Sequence, residues 1–260
     1  MNKFEQVAQN IFCLKFPYKG IFTTVYLIKT DEGITLVDAA SYDSDITDIL
    51  LPALADFGVD AKEIKYVFIT HNHGDHSGGL GELLRHLPHL TVISRSDALR
   101  EKHSDNKFIS PDDNDIILGV LKVVTIPGHT PDSAALLDTR TNTLVCGDCL
   151  QMYGIYGEGK WAANIRLPAE HLKALEKLRG IDFDCVITAH DYHPHGRIIE
   201  GREKILAVLD SCAAPLYDIK ALIEANPEID DAAVCALYNS TGNLPTLGDH
   251  VVTAVRRELL

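Results

Sequence analysis

Four side chains able to bind a divalent cation fall within six residues, at His71-Asn72-His73-Gly74-Asp75-His76. Imidazole and carboxylate suit zinc and related ions. The apolar run Tyr66-Val67-Phe68-Ile69-Thr70 precedes them, so the spacing predicts a turn at a strand end, with Gly74 helping the backbone aim these side chains at one point. A helix would scatter them. Beyond the motif, Ser77-Gly78-Gly79 leads into Leu80, Leu83, Leu84 and Leu87, a helical apolar spacing that anchors the loop from its far side.

Taken alone, the cluster competes with a histidine-rich surface turn. Three further candidates in the same local context decide against that reading. Val123 to Ile126 leads through Pro127-Gly128 to His129, Thr143 to Cys146 leads through Gly147 to Asp148, and Cys185 to Thr188 leads through Ala189 to His190. Each is a potential ligand at the end of a β-branched run, and strand ends in a sheet can converge on one edge, where α/β proteins commonly place ligand sites.

The order and spacing resemble the metallo-β-lactamase fold superfamily of metal-dependent hydrolases, whose signature is an HxHxDH loop followed by His, Asp and His. The ligand set is similar to that of glyoxalase II. The resemblance spans His71 to His190 and implies that His71, His73 and His129 hold one metal, Asp75, His76 and His190 a second, and that Asp148 bridges them. It further implies an αββα four-layer sandwich of two mixed sheets with outer helices, which agrees with the α/β alternation of the chain. Two divalent ions follow as cofactors, zinc first, with iron or manganese as alternatives. The implied activity is that of a dinuclear metal-dependent hydrolase using a metal-bound hydroxide on a small thioester, lactone or other ester, with Asp75 and Asp148 as catalytic carboxylates. A mononuclear iron enzyme similar to persulfide dioxygenases and a non-catalytic metal-binding sensor are the alternatives. One departure stands out: the turn Gly128-His129-Thr130-Pro131-Asp132-Ser133 has Asp132 where the family's GHTPGS has glycine. It adds a carboxylate near His129, as a partner for an imidazole or as an exposed turn residue.

Candidate substrate contacts are Tyr153, Tyr156 and Trp161 in a glycine-rich aromatic loop after Asp148, together with Tyr192 and His193 beside His190.

The elements that must position these groups can be read from periodicity. Strands are expected at Ile11–Lys15, Thr24–Lys29, Ile34–Asp38, Tyr66–Thr70, Thr91–Ser94, Val120–Ile126, Ala134–Asp138, Thr143–Cys146 and Cys185–Thr188, with a hairpin at Asp31-Glu32-Gly33. Helices are expected at Asp45–Phe57 and Pro168–Leu178. From about Ile198 the strands are expected to stop, giving a helical extension over 198–260 with helices at Ile199–Asp210, Ala214–Ala225 and Val251–Leu260. One domain over 1–260 is the expectation, its helical tail serving as an accessory layer, a pocket wall or a homo-oligomer contact.

Composition narrows the partners. Of 260 residues 46% are hydrophobic, with 24 Lys and Arg against 37 Asp and Glu, a formal net charge of −13. This acidic balance, with no basic run, argues against nucleic acid and for a small-molecule substrate. With neither a long apolar segment nor a secretory leader, the chain is expected to be cytoplasmic and without membrane contact. Six scattered cysteines then read as reduced, buried thiols, the Cys146-Cys149 pair included.

Overall fold

A computed structural model describes residues 3–151, 163–192, 194–242 and 246–260. Seven strands form the first sheet in the order β1 (Glu5–Ala8), β2 (Ile11–Tyr18), β3 (Ile21–Thr30), β4 (Gly33–Val37), β5 (Ile64–Phe68), β6 (Thr91–Ile93) and β7 (Lys107–Ile109). The first four pair antiparallel, and β4 to β7 pair parallel. The second sheet runs β13 (Gly196–Glu200), β12 (Cys185–Tyr192), β11 (Thr143–Val145), β10 (Ala134–Asp138), β9 (Leu121–Thr125) and β8 (Ile116–Ile117). Here β11 and β12 are parallel and the other pairs antiparallel.

Period-two alternation builds the layers. In β3, Val25 and Leu27 pack outward under helices α1 (Leu51–Asp56) and α3 (Leu80–His86), while Tyr26 and Ile28 join Val123, Leu136 and Ile187 between the sheets. On the far face of the second sheet, Val124, Leu144 and Val186 pack with Leu175 and Leu178 of α5 (Pro168–Arg179) and Val208 and Leu209 of α6 (Arg202–Ala225). The result is helices, sheet, sheet, helices. A fourth cluster joins Leu216, Ile219 and Ile223 of α6 to α7 (Asp231–Ser240), α8 (Asp249–Leu259) and Ala163 and Ile165. The six cysteines are buried and unbridged.

Several local expectations are corrected. The strands do not stop at Ile198: Ile198 and Ile199 pair with Ile187 and Val186, so β13 closes the second sheet before the helices begin at Arg202. The two expected helices Ile199–Asp210 and Ala214–Ala225 are one, because α6 runs through Pro215 while burying Leu209, Cys212, Leu216 and Ile219 along one stripe. Packing of that stripe overrides proline's cost in a helix interior. The segment expected as the helix Asp45–Phe57 opens with π-helical turns over Asp45–Leu50 before α1. The short strands β1, β7 and β8 carry too little periodicity to be read from sequence. Finally, His190 lies inside β12, in an irregular stretch where the ladder to β13 shifts between Ile187 and Tyr192.

Candidate metal centre

The C-terminal ends of the parallel pairs β4/β5 and β11/β12 open on one edge of the sandwich. Two bonds lock the sheets together there: Tyr26 Oη donates to the Thr188 carbonyl at 2.5 Å and Thr24 Oγ1 to the Ala189 carbonyl at 3.0 Å. The HNHGDH segment leaves β5 as extended backbone through His73, then closes into a single helical turn, α2 (Gly74–Ser77). The expected turn is thus part helix. Extended residues spread His71 and His73, whereas the helical turn brings Asp75 and His76 side by side. Two glycines let this loop sit down on the end of β4. A Cβ on Gly78 would lie 2.0 Å from the Ser41 carbonyl oxygen, and one on Gly79 2.4 Å from that of Ala39. At the second sheet Gly147, with φ +55°, turns the chain so that Asp148 faces inward.

The donors converge as two groups, His71, His73 and His129, and Asp75, His76, Asp148 and His190, the ligand atoms within each lying within 4.8 Å of one another. In the first, His73 Nδ1 is 3.0 Å from both His71 Nε2 and His129 Nε2. In the second, His190 Nε2 lies 3.3 Å from Asp148 Oδ1 and 3.4 Å from Asp75 Oδ2, and His76 Nε2 lies 3.4 Å from Asp148 Oδ2. Asp148 Oδ2 also approaches His129 Nε2 at 3.9 Å, so this one carboxylate touches both groups. The fold brings all seven sequence-predicted donors together.

The ring orientations are set from behind. His129 Nδ1 donates to the Asn164 carbonyl at 2.6 Å, His190 Nδ1 to the Phe22 carbonyl at 2.6 Å, and His76 Nδ1 to Asp38 Oδ2 at 2.7 Å. Thr70 Oγ1 donates to Asp38 and therefore accepts from His71 Nδ1 at 3.1 Å. With Nδ1 carrying the proton in all four, the Nε2 lone pairs point into the site, which is the tautomer a metal needs. Burial holds His71 well below the usual imidazole range, and brings His129 down to about 4. In the second group burial is outweighed by the carboxylates: Asp148 and Asp75 lift His190 to about 9, and Asp148, Asp38 and Asp75 lift His76 well above its ordinary value. Burial likewise opposes charge on Asp148, but His190 and His76 hold its carboxyl well below the usual range.

This donor set fits divalent cations. His76 Nε2 and Asp148 Oδ1 are buried without a hydrogen-bond partner among the described residues, an arrangement costly in a dry pocket unless a cation completes it. Clustered imidazoles with two carboxylates suit zinc, iron or manganese alike.

Of the expected substrate contacts, Tyr153, Tyr156, Trp161 and His193 lie outside the described residues. Tyr192 is 1% exposed and packs behind His190, its hydroxyl 3.4 Å from Gln151 Nε2. Asp132 partners neither an imidazole nor solvent alone; its Oδ2 accepts from the Asn72 backbone N–H at 3.0 Å and ties the two ligand loops together. Sequence reasoning missed Asp38, although a carboxylate closing the apolar run Ile34-Thr35-Leu36-Val37 has the same signal as Asp148. It also missed Gln151 and Asn164. Gln151 Nε2 donates to the Asp148 carbonyl at 2.7 Å, and its Oε1 accepts from the Asn164 N–H at 2.9 Å.

The family model described as the metallo-beta-lactamase superfamily matches residues 18–190, and the chain belongs to that superfamily. Its curated relatives include named hydrolases. An atrochrysone carboxyl ACP thioesterase of Aspergillus terreus is 26% identical over 180 residues, covering 64% of this chain and 53% of the relative. A hydroxyacylglutathione hydrolase of Francisella philomiragia is 28% identical over 164 residues, covering 58% and 61%. The chain thus spans between half and two thirds of the length of these relatives. In fold, a metallo-beta-lactamase family protein of Thermus thermophilus superposes with a TM-score of 0.67 at 16% identity, covering 96% of this chain and 92% of that one. No described helix is long and apolar enough to cross a membrane.

Proposed function

We propose that this protein is a dinuclear metal-dependent hydrolase of a small thioester, lactone or other ester. The observation that carries the reading is Asp148, a buried carboxylate whose two oxygens face imidazoles of both donor groups, each imidazole held from behind in the tautomer that ligates. His71, His73 and His129 would hold one ion, and Asp75, His76 and His190 the other, with Asp148 shared. Zinc, iron or manganese bound there would supply Lewis acidity, acidifying a water and polarising the scissile carbonyl. The protein's own part is positional. Asp75, its side chain 13% exposed at the mouth, orients the attacking water and accepts its proton on a carboxylate oxygen. Asp148 offsets the repulsion between two cations. The names of the two curated relatives favour a thioester within this class.

The test is elemental analysis of chelator-free protein together with kcat/KM on thioester, lactone, phosphodiester and β-lactam substrates. About two metal equivalents and a preference for the thioester or lactone are expected. A phosphodiester preferred by about tenfold overturns the substrate class. One iron with oxygen uptake overturns the hydrolase reading in favour of a dioxygenase.

A further inference from the structure

Two threonines stand side by side near the start of β3, and the alternation of a strand sends their side chains to opposite faces of the first sheet. Both are fully buried. Thr24 points between the sheets, as Tyr26 does, and its hydroxyl donates to the carbonyl of Ala189, the residue before His190. Thr23 points to the outer face, as Val25 and Leu27 do, and its hydroxyl donates to the Asp75 carbonyl at 2.9 Å. Just ahead of them the Phe22 carbonyl accepts from His190 Nδ1.

The Asp75 carbonyl needs a donor from outside. With only four residues, α2 leaves its C-terminal carbonyls unpaired within the helix. The Ala39 N–H takes that of His76 at 2.7 Å, and the Thr23 hydroxyl takes that of Asp75. β3 thus grips the second donor group from two sides: Thr23 holds the turn that carries Asp75 and His76, while Phe22 and Thr24 hold the stretch of β12 that carries His190. The first group has other supports, His71 resting on Thr70 and His129 on the Asn164 carbonyl.

We propose that Thr23 is a positioning residue for the second metal alone. Its hydroxyl fixes the turn that sets Asp75 Oδ2 3.4 Å from His190 Nε2 and 3.6 Å from His76 Nε2. Metal–ligand distances tolerate shifts of only about 0.2 Å, so a turn that relaxes by a few tenths of an ångström loses much of its grip on an ion. Thr23→Val keeps the shape of the side chain and leaves the Asp75 carbonyl without its donor. The ion on His71, His73 and His129 then stays and its neighbour is held weakly. This rests on the dinuclear reading above and not on hydrolysis.

Zinc titration of metal-stripped protein tests the proposal. Long-range 1H–15N correlation of the imidazoles reports the two donor groups separately, and competition with a chromophoric chelator supplies the affinities. In Thr23→Val the response of His76 and His190 is expected to weaken about tenfold or more, while that of His71 and His129 stays at the parental affinity. Thr23→Ser keeps the hydroxyl and should restore the second ion. Thr35→Val removes another fully buried strand hydroxyl, one bonded to the Leu36 and Tyr66 carbonyls, and should lower stability while leaving both ions in place. Thr23→Ala carries the same expectation as Thr23→Val if the valine variant does not fold. Parental affinity at the second group in both the valine and alanine variants, equal weakening of both groups, or no recovery in Thr23→Ser overturns the proposal and leaves the dinuclear reading intact. A parent in which only one group responds to zinc overturns the dinuclear reading, and this proposal with it.

Discussion

The carboxylate of Asp38 accepts a hydrogen bond from His76 Nδ1 at 2.7 Å while its other oxygen accepts from the Thr70 N–H at 2.8 Å. Asp38 sits at the end of β4 with φ +67°, a left-handed conformation that aspartate tolerates better than most residues and that swings its carboxylate over the ligand loop. One buried side chain therefore fixes both the tautomer of a ligand candidate and the start of the segment that carries it. Asp38→Asn keeps the size but loses the anionic acceptor. It should weaken metal affinity about 10- to 100-fold, measured by competition with a chromophoric chelator. Unchanged affinity in a folded variant would show that the pair is structural only.

Asp148→Asn tests the bridge. The substitution removes the charge that lies between the two donor groups and should release at least one metal equivalent while lowering kcat/KM by more than about tenfold. Retention of two ions with near-parental turnover would rule out the bridging role.

The protonation of His190 makes stability of the metal-stripped protein depend on pH. Its folded value, raised by Asp148 and Asp75 against burial to about 9, exceeds the ordinary 6.5, so the folded state binds the proton more tightly than the unfolded chain. That stabilisation is complete below about pH 6.5 and disappears as pH rises through about 9. Thermal unfolding midpoints of chelator-treated protein should therefore fall across this window, and more steeply than those of protein loaded with zinc, whose ligating imidazoles have no such proton to lose. A flat profile for the stripped protein would contradict this.

Gly78→Ala places a methyl group 2.0 Å from the Ser41 carbonyl oxygen, a backbone atom that cannot step aside. A loss of about 1–3 kcal/mol or more is expected from denaturant unfolding. The neighbouring change Gly74→Ala meets nothing within 4 Å and serves as the control. Equal stability of the two variants would mean the loop does not sit on β4 as described.

The donors were legible in the sequence because each ends a short apolar run, a local pattern that survives without knowledge of the fold. The four-layer order was implied by the resemblance to the superfamily, and the alternation of strands and amphipathic helices agreed with it. What orients the donors was not legible. Asp38 and His76 are 38 residues apart and meet only once β4 and β5 pair within the first sheet, while Phe22 and His190 are 168 apart and meet only once strands from both sheets are side by side. The continuity of α6 was hidden for a similar reason. Pro215 reads as a breaker in isolation, and only the packing of Leu216 and Ile219 against α7 and α8 keeps the helix whole. β13 escaped notice because Ile198 and Ile199 fit a helical face as well as a strand.

Neither donor group belongs to one sheet. His71 and His73 come from the end of β5 and need His129 from beyond β9; Asp75 and His76 need Asp148 and His190 from beside β11 and within β12. During folding, then, no half of the sandwich can assemble a complete coordination shell by itself, and a growing chain that has not yet reached His190 lacks one donor altogether. Tight metal capture would mark the moment at which the two sheets dock, and a bound ion would act as a rivet through the seam between them.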